Sequence, residues 1–93
     1  AGVARFNHDR SLAFANRPFQ ALFGLSDSMI ADRPAFARIL ERLRDHGKIP
    51  ESRDFPAWRA EREGWFRAAE AQEEHWLLPD GTHLRLLAQP VPD

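Results

Sequence analysis

A chain of 93 residues is one domain's worth of sequence, enough for a single hydrophobic core and too little for a large buried cavity. Its 13 basic and 14 acidic side chains are scattered along the length and leave a net charge of -1, which argues against a nucleic-acid groove or an anionic membrane surface as the main partner. The absence of cysteine removes disulfides, thiolate metal sites and cysteine nucleophiles, and no apolar run nears the roughly 20 residues of a membrane span.

Val3 to Phe6 is a short apolar segment, and the polar Asn7, His8, Asp9 and Arg10 after it predict a turn, so residues 2 to 16 read as a hairpin. Between Ser11 and Gly24 the periodicity changes within one residue. Leu12 and Phe14 alternate with Ser11, Ala13 and Ala15 as in a half-buried strand, whereas Phe19, Leu22 and Phe23 recur at helical spacing until Gly24. Asn16 suits the junction because its side-chain carbonyl can accept from a free amide of the first helical turn, where Pro18 has no amide to leave unpaired.

Ser26, Asp27 and Ser28 read as loop and cap chemistry. Asp32 and Pro34 mark a helix start, and Phe36, Ile39, Leu40 and Leu43 share one face until His46 and Gly47 end it. A second amphipathic helix is predicted from about Asp54 to Ala69, with Trp58, Arg62, Trp65, Phe66 and Ala69 on one face. Gly64 inside it costs roughly 1 kcal/mol relative to Ala, so a kink or an early end is expected there. From Glu73 to Leu78 and from Thr82 to Gln89 the period returns to two, around a turn at Pro79, Asp80 and Gly81. Hairpin, helices, hairpin is an α+β order: an antiparallel sheet with helices packed on one face.

That order, the strand ending in Asn16, the helix from Arg17 through Pro18 and Phe19 to Gly24, and the late turn of Leu78, Pro79, Asp80 and Gly81 together resemble a PAS domain. More narrowly, the pattern resembles the PAS class of alphaproteobacterial sensor histidine kinases, DivL-like kinases among them. A bacterial source also agrees with arginine almost everywhere a base occurs, Lys48 being the sole lysine. The resemblance implies one PAS-like domain over residues 1 to 93, truncated at both ends relative to the family. It implies a five-stranded antiparallel sheet, and the sequence stops at Pro90, Val91, Pro92 and Asp93, where the fifth and central strand would begin. That strand is therefore expected to be absent from this chain, leaving unpaired edges that invite dimerisation.

The resemblance further implies a non-catalytic sensory or interaction module that relays ligand or partner binding to the kinase core of the same polypeptide, itself a phosphoprotein and a transferase within a two-component system. It implies a cytoplasmic setting, with the parent protein either free or membrane-anchored, a homodimer in the parent, and a response regulator as a further partner. Heme in some PAS domains is held by a His on a crossover helix, and Asp54 to Ala69 has none; flavin photochemistry in the light-sensing class uses a cysteine, and none is present. Neither cofactor is expected, although a small ligand of unknown identity remains compatible. The competing reading is a stand-alone small-molecule-binding or enzymatic α+β domain.

Other constellations have plainer explanations. His8 and Asp9 superficially resemble a phosphoacceptor box, but they lie at a hairpin turn and not on a helix of a dimeric bundle. Glu73, Glu74 and His75 are a dense set of potential ligands, yet strand alternation sends Glu74 and His75 to opposite faces, so too few converge for zinc. No nucleophile elbow or phosphate-cradling glycine pattern surrounds Ser26, Ser28 or Ser52. What remains is Leu40, Trp58, Trp65, Phe66, Trp76, Leu84 and Leu86, bulky residues that would lie between helix and sheet, where PAS domains take ligands. Three tryptophans in so small a domain favour a filled core over an open pocket.

Overall fold

The computed structural model describes residues 2–90, and their contacts divide the chain into two compact units, 1–43 and 44–93. Among the described residues there are four α-helices and two antiparallel hairpins, the expected α+β arrangement. The anticipated turn toward a further strand at Val91, Pro92 and Asp93 lies outside the described residues.

In the first unit, β1 (Ala4–Phe6) and β2 (Leu12–Ala15) pair antiparallel. The Asp9 carboxylate closes the loop by accepting from the Ser11 N–H at 2.9 Å and the Ser11 hydroxyl at 2.6 Å. Arg10 beside it takes a left-handed φ of 71°. The simple alternation expected of β2 does not hold. Pairing runs Ala4 to Ala15, Arg5 to Phe14 and then Phe6 to Leu12, so Ala13 is an extra residue in the ladder. The bulge breaks the period: Phe14 is turned out to 48% exposure, while Ala15 is buried at 8%. Beyond the bulge, Ser11 bridges to Ala35, with the Leu12 N–H donating to Pro34 and the Phe36 N–H to Arg10, both at 2.9 Å.

Asn16 opens α1 (Arg17–Phe23), and Gly24 closes it at a φ of 66° with its N–H bonded to the Gln20 carbonyl. The Ser26 segment, expected as loop and cap, caps a helix of its own: Ser26 Oγ accepts from the Met29 N–H at 3.3 Å and opens α2 (Asp27–Ala31). One and a half turns are too short for a periodic signal to show. α3 (Phe36–Asp45) buries Phe36, Ile39, Leu40 and Leu43, the predicted face. Phe6 and Phe36 meet in a T-shaped contact at a centroid distance of 5.2 Å.

In the second unit, Asp54 caps α4 (Phe55–Glu63) by accepting from the Ala57 N–H at 3.1 Å, with Pro56 in the first turn. The helix ends short of Ala69. At Gly64 the backbone tightens into a 3₁₀ turn, Gly64–Arg67, the outcome that glycine's poor helix propensity favours. β3 (Gln72–Leu77) and β4 (His83–Ala88) then pair from Gln72 and Ala88 at the open end to Leu77 and His83 at the turn. The loop is held by the Leu78 N–H on the Thr82 carbonyl at 2.8 Å and by Gly81 at a φ of 89°. Alternation is strict here: Glu74, Trp76, Leu84 and Leu86 are on the shielded face, and Glu73, His75, Arg85 and Leu87 on the exposed one.

Candidate functional site

The most organised group of side chains joins α4 to β3. Trp58 and Arg62 are four residues apart and share a helix face, while Glu74 and Trp76 are two apart and share a strand face. Arg62 Nε donates to Glu74 Oε1 at 3.1 Å, and its Nη2 donates to Glu74 Oε2, making a forked pair. The Arg62 Nη1 donates to the Trp58 carbonyl at 3.1 Å and to Glu61 Oε2 at 3.2 Å, so every guanidinium nitrogen is engaged. The guanidinium carbon stands 4.4 Å over the Trp58 ring, a cation–π contact. Trp76 Nε1 donates to Glu74 Oε1, and the Trp58 and Trp76 rings meet at 5.3 Å.

Side-chain exposure sets this pair apart: 13% for Arg62 and 27% for Glu74, against 81% and 73% for Arg17 and Asp27. Removing charges from water costs several kcal/mol per ion unless the partner and further hydrogen bonds offset it, and here the forked partner, the Trp58 carbonyl and the Trp76 N–H are all in place. A shielded pair of this kind adds little net stability, whereas losing one partner leaves the other charge poorly solvated. Chemically it is a closed, fully hydrogen-bonded joint.

Phe55 continues the aromatic row, stacking on Trp58 at 6.0 Å, with the guanidinium of Arg44 at 4.4 Å and that of Arg59 at 5.7 Å from its ring centre. Trp76 is 3% exposed and lies opposite Leu84 in the ladder; Leu86 lies opposite Glu74. Trp65 and Phe66 fall on the 3₁₀ turn and are half-buried. Leu40, buried on α3, belongs to the first unit, so the other six residues of the anticipated set share the second unit and Leu40 does not.

None of the seven lines either of two open surface clefts. One, of about 510 Å³, lies over Arg17, Gln20, Gly24 and Asp27; the other, of about 330 Å³, lies over Arg44, Ile49, Phe55 and Pro79. Residue patterns missed the forked pair, although a signal was present. Arg62 shares the face of Trp58, and Glu74 falls in the same strand phase as Trp76, so each is a charge at a position otherwise kept for apolar residues.

The neighbouring acids divide as alternation requires. Glu73 faces out, paired with Arg85 and 3.9 Å from His75 Nε2, while Glu74 faces in. Three exposed aspartates are held below the usual carboxylate range. Hydrogen bonds from the side chain and N–H of Ser11 do this at Asp9, the Gln20 amide and then the Arg17 charge at Asp27, and the hydroxyl and N–H of Thr82 at Asp80.

Comparison with known proteins gives this geometry a setting. The family model described as the PAS fold matches residues 1–93. The chain is 36% identical over 91 residues to "Sensor protein DivL" of Caulobacter vibrioides, a match covering 97% of this chain and 12% of that protein. It thus spans about an eighth of the length of the curated relative it matches. No solved structure matches the chain.

Proposed function

This chain belongs to the PAS fold family, and from that premise we propose that it is a non-catalytic sensory and interaction module of a signal-transduction histidine kinase. The observation that carries this reading is the shape of the match: nearly all of this chain aligns with a small fraction of a much longer sensor protein, as a module within a larger machine would. In this reading a kinase core of the same polypeptide receives the signal, a second copy dimerises with it, a response regulator accepts the output, and the module works in the cytoplasm. Signalling through such a module requires a ligand or partner to favour one of two packings by differential affinity.

Trp58, Trp65, Phe66, Trp76, Leu84 and Leu86 in the second unit, with Leu40 in the first, are assigned as core filling and not as a cofactor cradle. The burial of Trp76 and Leu40 at 3% and 2% exposure supports this. Neither heme nor flavin is part of the proposal.

The test is a domain exchange. The matching 91-residue stretch of the Caulobacter sensor protein is replaced by this chain or by an unrelated α+β domain of similar size. This chain should support the sensor's cellular output and the unrelated domain should not. Equal outputs from the two exchanges refute the assignment.

A further inference from the structure

The smaller cleft, of about 330 Å³, lies wholly within the second unit and is walled by three segments: the end of α3 at Arg44 and Gly47, the loop from Ile49 to Ser52 leading to Phe55, and Pro79 of the β3–β4 turn. Local backbone chemistry sets these walls. Gly47 follows α3 at a φ of 66° with its N–H on the Arg44 carbonyl at 3.1 Å, Pro50 has its φ fixed by the ring, and the Ser52 hydroxyl accepts from the Asp54 N–H at 3.3 Å. Ile49 and Phe55, 4% and 8% exposed, give the cleft an apolar lining. Two charges of opposite sign line it as well. The Arg44 guanidinium stands 4.4 Å from the Phe55 ring centre and donates from Nε and Nη2 to Asp45 at 3.3 and 3.2 Å, so its plane is held while Nη1 has no partner among the described residues. Glu51 is exposed and, among the described residues, makes no ion pair with Arg44 or with any other base.

We propose that this cleft binds a free α-amino acid with an apolar side chain, its carboxylate on Arg44, its ammonium on Glu51 and its side chain against Ile49 and Phe55. The volume falls at the lower end of the range of about 300–1,000 Å³ typical of small-molecule sites. Charge complementarity selects the class. A base and an acid that line one cleft without pairing fit a ligand carrying both signs, and the apolar lining fits one with an apolar body. A simple fatty acid would set its carboxylate near that of Glu51 and a simple amine its ammonium near Arg44, so each is disfavoured by repulsion as well as by a missing contact. Arg44 is oriented by Phe55 and Asp45 before any ligand arrives, which lowers the ordering cost of binding. The site is separate from Trp58 and Trp76, neither of which lines it. Binding here does not require that a kinase core follow, so failure of this inference and failure of the domain exchange are distinct results.

Titration calorimetry on the full-length protein tests it with L-leucine and L-phenylalanine as probes, and amide exchange locates the site. At least one probe should bind saturably and slow exchange over residues 47–55. For L-leucine, 4-methylpentanoate lacks the ammonium and 3-methylbutylamine lacks the carboxylate; each should bind about tenfold more weakly, the loss of one charge-assisted contact. Glycine, with both charges and no apolar body, should also bind more weakly. Arg44→Gln and Glu51→Gln should each weaken the amino acid about fivefold to tenfold. The assignment is overturned if neither probe binds saturably by about 10 mM, if an analogue lacking one charge binds as tightly as leucine, or if Glu51→Gln leaves affinity unchanged. Should Arg44→Gln fail to fold because Phe55 loses its cover, the exposed Glu51→Gln variant and the analogue series decide without it.

Discussion

Replacing Asn16 by alanine should weaken two elements at once. Its Oδ1 accepts from the Phe19 N–H at 3.0 Å, which caps α1, and also from the Val3 N–H at 2.9 Å, just ahead of β1. Loss of an N-cap costs typically about 1 kcal/mol, and loss of the second bond at an exposed site adds roughly 0.5 kcal/mol, because water replaces most of it. The alanine variant should therefore lose about 1.5 kcal/mol, a drop of roughly 6–12 °C in Tm for a domain of this size. Asn16→Asp keeps the acceptor and adds charge complementary to the helix N-terminus, so it should stay within about 0.5 kcal/mol of the wild type. Thermal unfolding reads the total, and amide exchange at Val3 and Phe19 reads the two bonds separately. If alanine accelerates neither amide, or if aspartate costs as much as alanine, the double-acceptor account is wrong.

Adjacent leucines at the second hairpin provide a sharp register test. Leu78 is 2% exposed and Leu77 is 55% exposed, so Leu78→Ala should cost about 2–5 kcal/mol in chemical denaturation and Leu77→Ala no more than about 0.5; reversed costs would mean that the strand is one residue out of phase. Thr82 holds Asp80 below the ordinary carboxylate value, so the folded state binds this proton less readily than the unfolded chain. The contribution is thus present above about pH 4 and is lost as pH falls through the folded value. NMR titration of the Asp80 carboxyl should give a low midpoint in the wild type and a higher one in Thr82→Val, still below the ordinary value because the backbone N–H of residue 82 remains; equal midpoints would remove the Thr82 hydroxyl as the main cause. A thermal-shift screen with small apolar metabolites, heme and flavin should leave Tm unmoved if the second-unit aromatics are core filling, and one reproducible large shift would reassign them as a binding site.

Where one residue's local chemistry decides the structure, the sequence reads directly. Asn16, Pro18 and Gly24 define α1 from cap to stop, the four apolar positions of α3 are the buried ones, and the β3–β4 register follows from an uninterrupted period of two. Departures occur where a second segment intervenes. The bulge at Ala13 adjoins the bridge from Ser11 to Ala35, a pairing across more than twenty residues that no window over β2 contains. α2 is a single capped turn and a half, visible only in its Ser26 cap. The early end of α4 was written in Gly64, although the glycine alone could not distinguish a kink from a 3₁₀ turn.

The forked pair lies between these cases. A helix period puts Arg62 with Trp58, and a strand period puts Glu74 with Trp76, so each charge could be assigned to a shielded face from its own segment. What neither period contains is that the two faces meet, because α4 and β3 are separated by a 3₁₀ turn whose geometry sets where the strand returns. A charge in an apolar phase therefore predicts a partner without naming it. Here two such charges of opposite sign, twelve residues apart on consecutive elements, supply each other.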